Sequence, residues 1–302
     1  MSARALVTGS TGFIGGALTR RLAEDGWDVR CVVRPSSDPE VIAGLGRICR
    51  LHTHDGSTKQ LVSVMREADP DIVFHLASRF LAEHEPENVA DLIHSNVLFS
   101  TQMAEAMIRC DCKRLVNTGT SWQHYQTTDY RPVNLYAATK QASEDILAYY
   151  HDAHDLSIIT LKLFDTYGPG DSRRKLVNIL IDAAMSGERL DMSPGEQIVD
   201  LTHVDDVVSA FLAAAVRLLE ERSEPLQEYF LVSGERYSVR ELVKLVEHAT
   251  GCAIDVHFGG RAYRTREVMV PVVASRRLLG WSPDITVAKF LESLRPGDGT
   301  CA

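Results

Sequence analysis

The segment Tyr136-Ala137-Ala138-Thr139-Lys140 contains two side chains that together could transfer a proton. On a helix, a spacing of four residues places the phenol of Tyr136 and the ammonium of Lys140 on the same face. A phenol has an ordinary pKa of about 10, and a neighbouring positive charge favours its ionised form. The pair therefore predicts proton exchange with a carbinol, although the same spacing also occurs on helices without catalytic function.

Three glycines follow the first apolar segment of the chain, in Gly9-Ser10-Thr11-Gly12-Phe13-Ile14-Gly15. Glycine allows a tight turn and lets backbone N–H groups approach a pyrophosphate, and the start of the following helix attracts an anion. The spacing Gly-x-x-Gly-x-x-Gly differs from the commoner Gly-x-Gly-x-x-Gly. Because the segment lies between the first strand and the first helix, we interpret it as a dinucleotide cradle rather than as a loop with three unrelated glycines. Its predicted cofactor contacts are Gly9, Thr11, Gly12, Phe13 and Ile14.

The end of the second predicted strand indicates which dinucleotide binds. An acidic residue there accepts a hydrogen bond from the ribose of NAD, whereas an arginine can pair with the extra phosphate of NADP. The segment Arg34-Pro35-Ser36-Ser37 contains no acid. The sequence therefore predicts NADP(H), held by Arg34 and Ser36, and the alternative is that Arg34 is a solvated surface charge. Asp55-Gly56 follows the third strand and could hold the adenine, although it is also an ordinary turn signal.

Short apolar segments alternate with longer amphipathic ones through the first half of the chain. Ala5 to Thr8 precedes a helix that extends to Asp25, and Ile72 to Ala77 is apolar almost throughout. This alternation predicts an α/β fold with a doubly wound parallel Rossmann sheet that is covered on both faces. The turn-rich segment Tyr167 to Asp171 predicts the start of a smaller, discontinuous C-terminal lobe. We predict a dinucleotide-binding domain over 1–165 and about 200–235, and a substrate-binding lobe over about 166–199 and 236–302.

Length, charge and composition exclude several classes of function. The 302 residues carry 32 Lys and Arg against 41 Asp and Glu, a net charge of −9, without a basic cluster interleaved with aromatic residues. We therefore expect no nucleic-acid partner. The longest apolar segments are far shorter than the roughly 20 residues that span a bilayer, and no leader precedes the first strand. We expect no membrane association and a cytoplasmic location.

The cysteine and histidine residues do not follow a metal-binding pattern. The six cysteines are scattered, and the one close pair, Cys110 and Cys112, has no second pair to complete a zinc site. His52, His54 and Asp55 resemble a metal cluster but have no further ligand at a suitable spacing. We therefore predict no metal, and we predict reduced thiols, as is usual in the cytoplasm.

These motifs together resemble the extended short-chain dehydrogenase/reductase family, and in particular its nucleotide-sugar branch. The resemblance covers nearly the whole chain and is carried by Thr8 to Gly15, Phe74 to Ala77, Asn96-Val97, Tyr136 to Lys140, Tyr167-Gly168-Pro169, His203 to Val207 and Leu279 to Pro283. Asn117 to His124 and Leu135 to Ala142 are similar to segments of the reductases that make CDP-abequose and related deoxysugars. The resemblance implies NADPH-dependent reduction of the C4 ketone of a nucleotide-linked 4-keto-deoxyhexose or 4-keto-dideoxyhexose.

The family pattern also assigns roles to individual residues. It implies that Tyr136 delivers the proton, that Lys140 holds the cofactor ribose and lowers the pKa of the phenol, and that Thr120 polarises the reacting oxygen. Ser121 is the alternative to Thr120, and either residue could instead cap the end of a strand. The further cofactor contacts that the pattern implies are Leu76, Ala77, Ser78 and Asn96.

The resemblance implies that residues after the sixth strand and in the C-terminal lobe bind the nucleotide diphosphate of the sugar. Arg264 matches an arginine near the sugar-nucleotide phosphates, where its planar fork suits bidentate pairing. Arg261 and Arg266 are the alternatives, and all three could instead be charges of an exposed strand. Asp165, a predicted substrate contact, stands where the family commonly has Asn, and Val199 replaces an Arg. The remaining predicted substrate contacts are Ser121, Trp122 and Glu267. The side chain of Trp122 could equally pack beneath a loop.

The family includes several activities, which the sequence separates in part. Dehydratases carry Asp-Glu directly after the Thr, where this chain has Ser121-Trp122, so elimination lacks its acid and base. Epimerases that retain NAD usually have the acidic ribose contact that is missing here. Simple ketone reduction therefore fits best. The alternatives are an NAD-dependent nucleotide-sugar 4-epimerase and a non-catalytic dinucleotide sensor, which would not need Tyr136 and Lys140 together. Helices over 91–109 and 136–154 often form a dimer contact in this family, which implies a homodimer.

Overall fold

A seven-stranded β-sheet forms the centre of the molecule. The computed structural model describes residues 3–220, 226–274 and 276–294. The strands of these residues, in chain order, are β1 (Arg4–Thr8), β2 (Asp28–Val33), β3 (Arg50–Thr53), β4 (Ile72–His75), β5 (Arg114–Thr120), β6 (Ser157–Leu163), β7 (Asp165–Tyr167), β8 (Leu190–Met192), β9 (Ile198–His203), β10 (Gln227–Leu231), β11 (Arg236–Ser238) and β12 (Val256–Phe258). The α-helices are α1 (Phe13–Glu24), α2 (Pro39–Leu45), α3 (Thr58–Ala68), α4 (Val89–Ile93), α5 (Phe99–Arg109), α6 (Leu135–His154), α7 (Leu176–Ser186), α8 (Val204–Glu220), α9 (Val239–Thr250) and α10 (Val287–Ser293).

The strand order of the central sheet is β10-β6-β5-β4-β1-β2-β3, and each neighbouring pair is parallel. This confirms the predicted doubly wound α/β fold. The order reverses beside β1, because the chain proceeds from β1 to β2 on one side and continues with β4 on the other. Ligands of such sheets bind beyond the carboxyl ends of the strands at this reversal. A site is therefore expected where β1 ends at Thr8 and β4 ends at His75.

Helices cover both faces of the sheet, which explains why its inner strands are apolar almost throughout. All four residues of β4 are buried, as are six of the seven residues of β6. One apolar core packs α1 and α8 against the first face, with Leu18 and Phe211 among its members. A second core packs α3, α5 and α6 against the other face, with Met65 and Leu147 among its members. Fully burying one such side chain contributes about 1.5–3 kcal/mol.

A third apolar core belongs to the small elements that follow the central sheet in the chain. It packs α7, α9 and α10 together, with Leu180, Leu242 and Leu291 among its members. These helices accompany a three-stranded sheet, β11-β9-β7, and a two-stranded sheet, β12-β8. The predicted C-terminal lobe falls on these elements, and its boundaries stay a prediction.

The described cysteines differ in their oxidation state. Cys31, Cys49, Cys110 and Cys112 are free, but Cys252 is disulfide-bonded. The prediction of reduced thiols is therefore wrong at Cys252, because cysteine spacing along a chain does not show which pairs meet in space.

Within the described ranges, no helix has the length and hydropathy needed to cross a membrane. Over the same residues, three or more His, Cys, Asp or Glu side chains are nowhere grouped as metal ligands.

Candidate active site

The loop between β1 and α1 packs so closely that Gly9 and Gly15 have no room for a Cβ. Gly9 has a φ of +76°, and a Cβ added there would lie 2.6 Å from the backbone nitrogen of Ala77. A Cβ on Gly15 would lie 2.1 Å from the carbonyl oxygen of Gly9. Helix α1 begins after Gly12 without a side-chain cap, so its first N–H groups can bind an anion. The loop therefore fits the close approach of a pyrophosphate.

A cleft of about 690 Å³ extends from this loop along the ends of β2, β3 and β4. The structure brings most of the predicted cofactor contacts together on its wall: Gly9, Thr11, Gly12, Arg34, Ser36, Asp55, Gly56, Leu76, Ala77 and Ser78. A narrower cavity of about 240 Å³ adjoins it at Ser78, and its wall includes Phe13, Ile14 and Tyr136. Together the two spaces extend from Arg34 to Tyr136, which suits a dinucleotide.

His54 is a wall residue that the sequence analysis considered only as a metal ligand. Its side chain is 7% exposed and lines the cleft, and neither ring nitrogen has a hydrogen-bond partner in the part of the chain that the structure describes. Burial lowers the pKa of His54, so its ring is neutral at neutral pH. The ring of Phe99 packs beside it, with 5.3 Å between the ring centroids. Alternation along β3, which places His52 and His54 on one buried face, was the signal that could have identified it.

Asn96 is fully buried behind the cleft wall, in a π-helical turn over His94–Leu98. Its Oδ1 accepts hydrogen bonds from the Ser78 hydroxyl at 3.0 Å and from the Arg79 backbone N–H at 2.8 Å. Its Nδ2 donates to the Arg79 carbonyl at 3.0 Å and to Thr139 Oγ1 at 2.9 Å. The structure thus places Asn96, a predicted cofactor contact, as a link that holds the segment after β4 against α6.

The phenol of Tyr136 is buried at the wall of the narrow cavity. Burial raises the pKa of Tyr136 to about 12. The hydroxyls of Ser78 and Thr120 and the charge of Arg173 act in the opposite direction. The largest contributions that lower this pKa therefore come from these three groups and not from Lys140, to which we assigned that effect from the sequence. In the structure the phenol is protonated at neutral pH, which suits a proton donor.

Lys140 is 1% exposed and lies among buried groups rather than on the wall of the cleft. Burial lowers the pKa of its ammonium to about 8, and the carboxylate of Glu144 acts in the opposite direction. Burial and the charge of Lys140 lower the pKa of His75 to about 3, so this neighbour is neutral. His75 Nδ1 lies 2.9 Å from Thr8 Oγ1, and its Nε2 lies 2.8 Å from Ser100 Oγ.

Thr120 is the last residue of β5 and lines the narrow cavity together with Tyr136. Its Oγ1 accepts a hydrogen bond from the Trp122 backbone N–H at 3.3 Å, and its own N–H donates to Gln123 Oε1 at 3.0 Å. These bonds cap a short 3₁₀ turn over Ser121–Gln123. Thr120 is therefore a strand-end cap that also borders the space beside the phenol.

A second large cavity, of about 580 Å³, continues from the narrow one. All of the predicted substrate contacts line it, namely Ser121, Trp122, Asp165, Arg264 and Glu267. The two cavities meet at the aromatic rings of Phe80 and Trp122, whose centroids are 5.5 Å apart. Phe80 also packs edge-on against Tyr136, with 5.0 Å between centroids. The phenol therefore lies where the two spaces join.

Arg264 is the arginine of the predicted set that reaches this second cavity. Its Nε and Nη2 donate to the two carboxylate oxygens of Glu267 at 3.0 and 2.8 Å. Its guanidinium carbon lies 5.3 Å from the ring centroid of Trp122. The two alternatives are placed off the cavity wall: Arg261 is exposed, and Arg266 stacks on a tyrosine outside it.

Two cationic side chains of the same wall are not among the residues predicted from the sequence. Arg173 and Lys175 line both the narrow and the second cavity. The guanidinium of Arg173 pairs with the buried carboxylate of Asp171, with 2.7 Å between Nε and Oδ1. Lys175 Nζ lies 3.7 Å from Asp165 Oδ1 and 4.0 Å from the ring centroid of Phe80. The basic run that contains both residues, directly after the turn-rich segment, was a signal that could have identified them.

The cleft and the two cavities form one groove, because each adjoining pair shares wall residues. One end offers glycine-rich backbone for a pyrophosphate, and the other offers several cationic side chains for a phosphate-bearing molecule. A phenol and a hydroxyl border the junction. The arrangement can therefore hold a dinucleotide and a second phosphorylated ligand with their reacting ends together.

Comparison with known families agrees with this geometry. Residues 5–225 match the profile of the NAD dependent epimerase/dehydratase family. Since the match covers most of the chain, the protein belongs to this family of enzymes. The resemblance to the nucleotide-sugar branch of the extended short-chain dehydrogenases/reductases is thereby confirmed, and the protein is a nucleotide-sugar-modifying enzyme of that branch.

Relatives along the full length of the chain carry different activities. A CDP-abequose synthase of Salmonella typhimurium is 26% identical, covering 96% of both chains. A UDP-glucose 4-epimerase of Mycolicibacterium smegmatis is 28% identical, covering 95% of both chains. Among solved structures, MoeE5 in complex with UDP-glucose and NAD has a TM-score of 0.81 and is 26% identical over 96% of each chain. The UDP-glucose 4-epimerase of Thermotoga maritima with UDP-glucose has a TM-score of 0.84 at 23% identity, covering 95% of this chain and 96% of the epimerase, and shows the shared fold.

Proposed function

We propose that the protein uses NADPH to reduce the C4 ketone of a nucleotide-linked 4-keto-deoxyhexose or 4-keto-dideoxyhexose. One observation carries the proposal: Tyr136 and Thr120 border the narrow cavity that joins the cleft of the glycine loop to the cavity of Arg264. A cofactor in the cleft and a sugar nucleotide in the second cavity would place their reacting ends there. Holding two reactants in one geometry is itself a large part of catalysis.

The side chains at the junction support a proton-donating role. Bound NADPH would supply a hydride to the carbonyl carbon. The Tyr136 phenol, with a pKa raised to about 12 by burial, keeps its proton until the oxygen accepts it. The Thr120 hydroxyl donates a hydrogen bond to that oxygen. Lys140, one helical turn after Tyr136 and buried behind the cavity wall, provides a positive charge near the cofactor ribose.

The residues after Thr120 favour reduction over elimination. Dehydratases of this family resemble the chain up to Thr120 and then carry an acid and a base, whereas Ser121 and Trp122 line the sugar cavity here. A hydroxyl and an indole at neutral pH cannot protonate a leaving hydroxyl and remove a C–H proton. Ketone reduction needs neither group.

The cofactor end of the cleft supports NADP(H). The wall after β2 consists of Arg34, Pro35, Ser36 and Ser37, with a basic side chain and two hydroxyls in place of a carboxylate. A planar guanidinium suits a 2′-phosphate, which the ribose of NAD lacks. We therefore propose NADP(H) as the cofactor, although MoeE5 was solved with NAD.

The test is incubation of the purified protein with NADPH and a panel of CDP-, dTDP- and GDP-4-keto-6-deoxysugars and their 3-deoxy analogues. We expect loss of the reduced nicotinamide absorbance with at least one member of the panel, and stoichiometric formation of the 4-hydroxy sugar. The member that reacts identifies the base and the sugar. No oxidation of NADPH with any member would refute the reductase proposal.

A nucleotide-sugar 4-epimerase is the second candidate, because an epimerase is among the full-length relatives. An epimerase returns the hydride to the same sugar and keeps its cofactor bound. Acid denaturation of the purified protein and analysis of the released nucleotide distinguish the two. Stoichiometric NAD, together with interconversion of a 4-epimer pair without added reductant, would favour this candidate over the reductase.

We also propose that the protein is a homodimer through the helices over 91–109 and 136–154. The outer faces of these helices expose large apolar side chains, among them Ile93 at 41% and Tyr149 at 59%. Covering such residues removes apolar surface from water. Light scattering coupled to size-exclusion chromatography should give a mass near twice 33.5 kDa, and a monomer mass at micromolar concentration would refute this proposal.

A further inference from the structure

A cluster of polar and charged side chains, most of them buried, lies beside the proposed site and borders its second cavity at His124. We call it the Glu144 network; its members are Gln123, His124, Glu144, Lys162 and Glu228. The side chain of Lys162 is 2% exposed, and that of Glu144 is 12% exposed. Charges removed from water in this way are unfavourable unless they are paired and hydrogen-bonded. The burial of these charges therefore requires a functional or structural explanation.

Glu144 is held from two sides. Its Oε2 accepts a hydrogen bond from Gln123 Nε2 at 3.0 Å and lies 3.3 Å from Lys162 Nζ. Lys162 Nζ also lies 2.9 Å from Glu228 Oε2 and 3.3 Å from His124 Nε2. His124 Nδ1 donates to a backbone carbonyl, so its Nε2 is the acceptor for Lys162. The network fixes the Glu144 carboxylate in one place.

The network also lies directly against the end of β5. The carboxamide of Gln123 binds Glu144 through its nitrogen and accepts from the Thr120 N–H through its oxygen. A Cβ added to Gly119 would lie 2.8 Å from Glu144 Oε1 and 2.9 Å from Lys162 Cγ. The glycine before Thr120 thus leaves the space that the Glu144–Lys162 pair fills.

Glu144 follows Lys140 by one turn on α6, just as Lys140 follows Tyr136. Residues four apart on a helix are surface neighbours, so the three side chains form one row. Within the described part of the chain, the charge of Lys140 interacts with Glu144 on its own helix and with His75 on β4, and Tyr136 lies one turn before it on α6. Tyr136 and His75 are neutral at neutral pH, as shown above. Glu144 is therefore the group in this set that can balance the buried ammonium.

We propose that Glu144 is a positioning residue that keeps the ammonium of Lys140 charged, and that Lys162 keeps Glu144 ionised. The inference rests on the proposed function in one respect, since a charged Lys140 matters because its positive charge is to lie near the cofactor ribose beside Tyr136. Burial alone favours the neutral amine at Lys140 and the neutral acid at Glu144. The attraction of the Glu144 carboxylate for each of the two ammonium groups, Lys140 and Lys162, opposes both tendencies.

The direct test is a titration of Lys140 that needs no substrate. Lysine labelled with ¹³C at Cε gives one resonance per lysine, and the Lys140 resonance is the one that Lys140→Arg removes. In Glu144→Gln we expect the pKa of Lys140 to fall by about 1 unit, because a nearby opposite charge is lost. Lys162→Met should shift it in the same direction, because Glu144 then takes up a proton. The second variant keeps the test intact if the first does not fold.

Asp145→Asn is the matched control. Asp145 is the next residue of α6 and is exposed; it accepts a hydrogen bond from Gln141, which in turn binds Gln123, so Asp145 is two hydrogen bonds away from the network and not bonded to Glu144 or Lys162. Its substitution should leave the Lys140 titration as in the wild type. An unchanged Lys140 pKa in folded Glu144→Gln or Lys162→Met protein would overturn the inference.

Steady-state kinetics gives a second readout. If Lys140 must be charged, the alkaline limb of the kcat profile should move to lower pH in Glu144→Gln and Lys162→Met, and not in Asp145→Asn. A uniform loss of kcat at every pH would indicate a merely structural role and would contradict the proposal. The Lys140 titration requires no turnover, so it can refute this inference even if the proposed reduction is correct. The NADPH assay can likewise refute the reduction without affecting the titration.

Discussion

At the scale of single residues, burial determines which protonation states the site offers. Burial raises the pKa of Tyr136 to about 12 and lowers that of Lys140 to about 8. The phenol therefore carries its proton at neutral pH and can donate it. Sequence spacing alone predicted that these two side chains share a helix face. It could not predict that Ser78, Thr120 and Arg173 would exert the largest lowering effects on the phenol, because these residues come from distant parts of the chain.

Tyr136→Phe should leave folding intact and reduce turnover by about 10²–10⁴-fold, because the proton donor is lost while the ring and its contact with Phe80 remain. The measurement is the initial rate of NADPH oxidation with the substrate found in the panel, with thermal unfolding as the check on folding. Tyr130→Phe, at an exposed position away from both cavities, is the control and should retain full activity. Turnover that survives in Tyr136→Phe would remove Tyr136 from the mechanism.

Arg34→Ala should raise the KM for NADPH by about tenfold or more and leave the KM for NADH nearly unchanged, because only NADPH carries the phosphate that Arg34 is proposed to bind. The ratio of kcat/KM for the two cofactors is the quantity to compare. Arg47→Ala, another exposed arginine nearby in the sequence, should leave that ratio unaltered. Equal losses with both cofactors would show that Arg34 does not discriminate between them.

At the scale of elements, the site depends on where strands end and helices begin. The loop from β1 to α1 approaches the end of β4 so closely that its glycines have no room for a Cβ. Helix α6 begins where Asn134 Oδ1 accepts a hydrogen bond from the Ala137 N–H at 2.9 Å. This start determines which side of the helix carries Tyr136, Lys140 and Glu144. Local sequence predicted both starts well, since caps and glycine turns act within a few residues.

Gly15→Ala should abolish tight cofactor binding and lower the free energy of unfolding by about 1–3 kcal/mol, because its Cβ would lie 2.1 Å from the Gly9 carbonyl oxygen. Gly44→Ala is the matched control: Gly44 is also helical, but a Cβ there has nothing within 4 Å. That substitution should be neutral or stabilise the protein by up to about 1 kcal/mol. Urea unfolding and nicotinamide fluorescence titrations measure the two effects. Unchanged cofactor binding in Gly15→Ala would contradict the proposed cradle.

At the scale of the whole molecule, the parallel order of the sheet brings its functional ends to one edge, and the fold as a whole buries many polar groups. Among these are histidines on several elements whose pKa burial lowers, namely His52, His54, His75, His124 and His203. In the folded state they resist protonation, whereas in the unfolded chain they take up protons below about pH 6.5. Their neutral state therefore links stability to pH.

Stability should decrease as the pH falls from about 6.5, because the unfolded state then binds more protons than the folded state. For His75, whose folded pKa is about 3, the decrease extends towards that pH and amounts to about 1 kcal/mol between pH 6.5 and 5.5. Urea unfolding at pH 7.5, 6.5 and 5.5 measures the slope, which His75→Gln should reduce and His84→Gln, at an exposed position, should not. A free energy of unfolding that is constant over this range would contradict the argument.

The amino-acid sequence by itself determined the alternating elements, the glycine cradle, and the shared helix face of Tyr136 and Lys140. These features depend on periodicity and on interactions within one or two turns, and therefore on residues that are close together in the sequence. Only the tertiary structure decided that His54 and Lys175 line the groove, that Asn96 lies behind its wall, and that Lys162 pairs with Glu144. Those contacts join residues from different strands and loops, and their partners are set by the crossovers and strand order of the sheet.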